Sequence, residues 1–167
     1  MMVRGEYEEA AALFERAALL AEDAFTQAKS LGKLGELALK RGDVETAIRS
    51  FEGALRLLRC RIPRSYLSVR FAAAKEIAAQ SLHTYFPSLF VGRRRSEPRP
   101  TERLSWSLYS RLAHAYWFAR STPHVLWSHL RCMNHSERYQ PTLELAQVYA
   151  EHAPVMTLVG LMQRGIH

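Results

Sequence analysis

Three side chains in the last third of the 167-residue chain are of types that hold metals. His129, Cys132 and His135 stand three apart, with His124 upstream. Imidazoles and a thiolate are a zinc donor set, but zinc usually draws its ligands from two elements at tighter spacing. On one helix, residues spaced by three and six splay around the axis. The expectation is a partly exposed polar face and no metal. The carboxylates Glu6, Glu8, Glu9 and Glu15 crowd one N-terminal segment and read as a solvated helix face rather than an acid–base pair. No Gly-x-x-x-x-Gly-Lys-Ser/Thr run cradles a phosphate, and no nucleophile elbow or kinase His-Arg-Asp triplet occurs. No catalytic residue and no cofactor are expected, and the chain by itself is not read as an enzyme.

Charge points elsewhere. Residues 1–55 carry 7 basic against 10 acidic side chains, residues 56–103 carry 11 against 3, and residues 104–167 carry 5 against 3. The formal charge of +7 therefore belongs to the middle segment. Its centre is VGRRRSEPRPTER, with Arg93, Arg94, Arg95, Arg99 and Arg103. Prolines and the lack of apolar periodicity make it an exposed loop. Nucleic acid or an anionic surface is its functional reading. Tyr85, Phe86, Leu89 and Phe90 before it are apolar enough for a surface anchor. The aromatics precede the charge instead of interleaving with it, and no nucleic-acid fold is recognisable, so a solvated loop is expected.

A second constellation lies between residues 106 and 127. Trp106, Tyr109, Tyr116, Trp117, Phe118 and Trp127 make this region aromatic-rich, and Tyr109 and Tyr116 share a stripe with Leu112 and Ala113. Arg111, His114, Trp117 and Phe118 fall on positions that turn toward a concave groove if such helices stack. Core packing is the first expectation for Trp117 and Phe118, and a peptide anchor the second; an exposed Trp beside an Arg is a common binding hot spot.

The elements that must position these residues are helices. From Ala28 to Arg61 two helical patterns flank a turn at Arg41-Gly42-Asp43. Small Gly35, Ala47 and Ala54 let the two axes approach, and Leu34 and Phe51 fill the space between. Gly5, Ala10, Phe14 and Ala17 match Gly42, Ala47, Phe51 and Ala54 at a constant offset of 37 residues. Leu112-Ala113-x-x-Tyr116 returns as Leu145-Ala146-x-x-Tyr149 at an offset of 33. Fixed offsets of this length are the mark of stacked helical repeats. An amphipathic first helix over about 6–21 carries Ala10, Leu13, Phe14, Ala17, Leu20 and Ala21 on its apolar stripe. A helix over about 64–85, with Pro63 suiting its first turn, carries Leu67, Phe71, Ala74, Ile77, Ala78 and Leu82. Thr101 is positioned to cap the next helix, Pro123 opens one reaching about Arg138, and Pro141 starts another.

Leu34, Gly35, Gly42, Ala47, Phe51 and Ala54 resemble the tetratricopeptide repeat position by position, with Leu31 for the usual aromatic, Ala38 for the usual Tyr, and the terminal proline displaced to Pro63. The resemblance implies an all-α tandem array of helix–turn–helix units, a right-handed α-solenoid. In that scheme residues 1–62 hold one half repeat and one complete repeat. Residues 63–103 are a helix plus the basic Arg/Pro loop, and residues 104–167 hold further repeats cut inside the last unit. LYSRLAHAYWFAR, HLRCMNHSERY and ELAQVYAEHAPVM also resemble the helical-repeat region of large bacterial signalling proteins, over about residues 40–167. There such repeats follow an AAA/STAND-type ATPase module joined to nucleotide-cyclase or protein-kinase domains.

The function these resemblances imply is a protein–protein interaction scaffold that takes a peptide or neighbouring domain in its groove. Regulation of an ATPase, cyclase or kinase module in cis is the alternative. The groove residues would be Lys29, Lys33, Glu36 and Lys40, then Arg111, His114, Trp117, Phe118, Gln147 and Glu151. Gly32 and Glu36 replace the Lys and Asn of repeats that clamp a C-terminal carboxylate, so that ligand is not expected. Chain ends falling inside repeat units lead to an expectation of self-association, with apolar Met156, Leu158, Val159, Leu161, Met162 and Ile166 near the C-terminus. Two distant cysteines, no signal core and no run of 18 apolar residues favour a cytoplasmic protein without a membrane span.

Overall fold

The computed structural model describes residues 2–143 and 145–150, with side chains from residue 7 onward. They form α1 (Met2–Leu20), α2 (Ala24–Lys40), α3 (Val44–Leu57), α4 (Tyr66–Tyr85), the short α5 (Pro87–Phe90), α6 (Pro100–Ala119) and α7 (Thr122–Ser136), followed by helical residues at 143 and 145–150. Among the described residues the fold is all-helical; the sole β feature is an isolated bridge between Arg94 and Tyr139. No described helix is long and apolar enough to cross a membrane.

Local chemistry accounts for the α2–α3 hairpin. Asp23 and Asp43 sit just before the two helices, and each carboxylate accepts a backbone N–H three residues on, from Thr26 at 2.9 Å and Thr46 at 3.1 Å. Such caps satisfy amides that the first helical turn leaves without partners. Gly42 takes a φ of +79° between the helices, a conformation that a side chain would strain. Ala28, Ala47, Phe51 and Ala54 are fully buried where α2 meets α3 and α6. The Phe51 ring lies directly over Gly35.

Packing order departs from chain order. α1 packs on α2, α2 on α3, and α3 on α6, not on α4, the next long helix in the chain. α6 packs on α7 and also touches α2. α4 returns to lie on α7, and besides α7 and α5 it touches no other named helix. Residues 58–99 are thus an excursion between two helix pairs that are neighbours in space. Tyr116 and Arg120 of α6 seal the α3–α6 contact. The Tyr116 hydroxyl donates to Glu52 at 2.9 Å, and Arg120 grips Glu45 through two bonds of 2.6 and 2.8 Å.

Several sequence expectations change here. In α1, Leu13, Ala17 and Leu20 face outward, and the side turned to α2 is built from Tyr7, Ala11, Phe14 and Ala18; a single neighbour covers only one narrow stripe. α4 starts at Tyr66, later than expected, because Ser65 and Ser68 exchange backbone hydrogen bonds in a capping box, which leaves Pro63 outside the helix. Thr101 is not a cap: α6 begins at Pro100, and Glu102 folds back to accept the Arg99 N–H at 2.8 Å.

The largest departure is in α4. Its expected apolar stripe, Leu67, Phe71, Ala74, Ile77, Ala78 and Leu82, is exposed to solvent. The opposite face, Val69, Ala73, Glu76, Gln80 and His83, is buried. The physical reason lies on α7 and its C-cap, where Arg131, Asn134 and the capping residue Glu137 offer charge and hydrogen bonds that the polar side of α4 answers.

Candidate functional site

A cleft of about 550 Å³ opens between the end of α2, the exposed side of α6, the start of α7 and the last described helical residues. Arg111, His114, Trp117 and Phe118 line it, joined by Leu39, Ser110, Ala113, Val125, His129 and Gln147. The four α6 residues recur at intervals of three, three and one, which places them on one helix face. The other face carries Trp106, Tyr109, Leu112 and Tyr116 into the core, where Tyr109 meets Trp127 edge-on with ring centroids 5.7 Å apart. With that side occupied, Trp117 remains 44% and Phe118 64% exposed, so the core-packing expectation for both is wrong. The His114 and Phe118 rings meet edge-on at 5.4 Å.

Of the remaining groove residues, Glu36 is drawn to this site. It bonds Lys33 at 3.0 Å and lies 3.8 Å from Arg111 of α6. Lys29 and Lys40 are exposed on α2 and do not line the cleft. Glu151 and the apolar residues from 155 to 166 lie outside the described residues. Sequence reasoning missed Leu39 and Val125, which form the apolar walls; nothing in their local pattern marks them. His129, considered above for metal, is buried against the cleft, while the Cys132 thiol donates to the Trp106 carbonyl at 3.3 Å. Among the described residues no three His, Cys, Asp or Glu side chains gather around a metal-sized space. Neither Cys60 nor Cys132 is in a disulfide among the described residues.

The α4–α7 contact is a buried polar lattice. Glu76 accepts from Arg131 at 2.8 Å and from Asn134 at 2.8 Å, and Asn134 also donates to the Glu76 carbonyl at 2.9 Å. Glu137 gathers Gln80 at 3.2 Å, the Tyr149 hydroxyl at 2.8 Å and His83 Nδ1 at 2.6 Å. His83 stacks on Phe90 with centroids 5.6 Å apart, which fastens α5 to the same point.

Beside this lattice sits His135. Burial, reinforced by the positive charges of Arg131, Arg138 and Arg94 and opposed by Glu76, depresses its pKa to about 4. The folded chain therefore holds this imidazole neutral where an unfolded one, near pH 6.5, would be charged. The unfolded state binds the extra proton between these values, so stability is full above pH 6.5 and falls as the pH drops toward 4. We expect His135→Gln to remove about 1–3 kcal/mol of acid sensitivity across that window, read from urea midpoints at pH 7 and pH 4.5. Identical slopes in both proteins would refute it.

The basic loop is partly fastened. Gly92 N–H donates to the Glu137 carbonyl and Arg94 N–H to the Arg138 carbonyl, both at 2.8 Å. The Arg94 guanidinium lies 5.3 Å over the Tyr139 ring and bonds its hydroxyl at 2.7 Å, and that hydroxyl donates to Glu102 at 2.7 Å. Arg103 pairs with Glu97 at 3.7 Å. Arg93, Arg95 and Arg99 remain exposed. No family model, no curated protein and no solved structure matches this chain.

Proposed function

We propose that this chain is a protein-interaction scaffold of stacked helix pairs, tetratricopeptide-like in arrangement, which takes a peptide segment of a partner or neighbouring domain in the α2–α6–α7 cleft. The observation that carries this reading is the row Arg111, His114, Trp117, Phe118 along one exposed face of α6, above the apolar walls Leu39 and Val125. Large aromatic side chains left in water next to an arginine supply the buried anchor and the charge-assisted bond that dominate most interfaces. The scaffold reading is supported by the packing sequence α2, α3, α6, α7, in which α2 also touches α6. Contact between alternate helices is how stacked pairs build a continuous concave side.

The cleft chemistry favours a segment with an aromatic or aliphatic residue close to a carboxylate. That carboxylate would compete with Glu36 for Arg111, whose existing 3.8 Å contact is long for an ion pair and mostly solvent-screened. The test is an immobilised peptide array that varies an aromatic residue flanked by Asp or Glu, probed with the full chain. Trp117→Ala and Arg111→Ala should each weaken binding at least about tenfold while leaving the helical circular dichroism unchanged. Retention of the same peptides by both variants at wild-type strength would rule the cleft out.

A further inference from the structure

We propose that the outer side of α4 and α5, with the loop after them, is a docking surface for a bilayer carrying anionic phospholipid, against which α4 lies parallel to the membrane plane. Leu67, Phe71, Ala74, Ala78, Leu82 and Tyr85 recur at intervals of three and four and form one continuous stripe along the helix. All are exposed, Leu67 at 66% and Phe71 at 76%. Phe86 and Leu89 extend the stripe into α5 and are also exposed. A stripe of this length left in water is well beyond the scattered apolar residues usual on a surface.

Charge identifies what covers it. From residue 56 to residue 96 the sequence contains a single carboxylate, Glu76, which points inward and is 4% exposed. Every other charged side chain in that span is an arginine or lysine. Arg70 and Lys75 stand exposed on opposite flanks of the stripe. Arg93 and Arg95 stand at its C-terminal end, because Gly92 is tied to the same Glu137 that holds His83. Apolar side chains edged on both sides by cations fit a surface that is hydrocarbon below and phosphate above; the first exposed acid past the stripe is Glu97, beyond Arg95 in the loop, where it pairs with Arg103. Tyr66, Tyr85 and Phe86 are exposed near the two ends of the helix, and Tyr at least favours the headgroup level. A second copy fits less well, since pairing two such stripes would bring like charges together along both edges.

The experiment is flotation of the full chain with vesicles of phosphatidylcholine, alone or with roughly one third phosphatidylserine. We expect co-flotation with the anionic vesicles only, lost on raising the salt. Phe71→Ser combined with Leu82→Ser, and separately Arg93→Ser combined with Arg95→Ser, should each reduce the bound fraction at least about tenfold. These exposed positions leave the fold intact, which circular dichroism checks. Absence of wild-type binding to anionic vesicles would overturn the proposal. So would wild-type binding by the Phe71/Leu82 variant, which would assign the attraction to loop charge alone. A vesicle-free dimer dissolved by that same variant would assign the stripe to a second copy instead.

Discussion

Glu76→Ala should lower the stability of the chain by about 3–5 kcal/mol, the usual cost of breaking a buried charge pair on one side. Glu76 is the hinge-pin of the α4–α7 contact: its carboxylate takes bonds from Arg131 and Asn134, and its carbonyl takes another from Asn134. With the carboxylate gone, Arg131 keeps a positive charge in a mostly buried position and Asn134 is left under-bonded in the interior. Glu76→Gln should cost less, about 1–2 kcal/mol. Its oxygen can still accept from Arg131, and Asn134, its amide turned over, can offer Oδ1 to the new N–H at the cost of its bond to the residue-76 carbonyl. Urea unfolding of the three proteins decides it. Equal losses in the two variants, or less than 1 kcal/mol for alanine, would show that this lattice does not hold α4.

Gly35→Ala should also destabilise, against the rule that alanine improves a helix by about 1 kcal/mol over glycine. A Cβ at that position would stand 2.6 Å from the Phe51 ring, closer than two carbons can approach. The ring is fully buried and cannot swing aside, so overpacking of about 1–3 kcal/mol wins. Phe51→Ala alone should cost about 3–5 kcal/mol through the cavity it opens. Made together, the two changes should cost less than their sum by about 1–2 kcal/mol, because the smaller side chain removes the clash. Strict additivity in urea midpoints would place the ring somewhere other than over Gly35.

How much was legible follows from range. The α2–α3 hairpin could be read because its causes are local: a turn glycine, two capping aspartates, and small residues facing one aromatic. The side of α6 lining the cleft was legible from the spacing of Arg111, His114, Trp117 and Phe118, but which of them the core would claim depended on Trp106 and Tyr109 filling it first. The repeat register set residues 63–103 apart without showing where they go. Leu34 and Leu112 are 78 positions apart, yet their helices touch, since a Cβ on Gly32 would meet Leu108 at 2.9 Å. A fixed period cannot show that residues 58–99 step out of the stack. α4 was misread for a related reason. An apolar stripe turns inward only if the neighbour offers hydrocarbon, and the neighbour, more than fifty residues downstream, offers Arg131, Asn134 and Glu137 instead.

That inverted helix divides the molecule into two thermodynamic materials. The contacts among α2, α3, α6 and α7 are mainly hydrocarbon, whose exposure raises heat capacity. Detaching α4 would uncover Val69 and Ala73 but otherwise carboxylate, amide and imidazole, since its apolar stripe is already wet. Such an opening adds little to the heat-capacity change, which exposed polar surface lowers. The heat-capacity change therefore weighs the stacked helices more heavily than α4, while urea titration registers both. Amide hydrogen exchange, read helix by helix, tests whether α4 opens apart from the stacked helices.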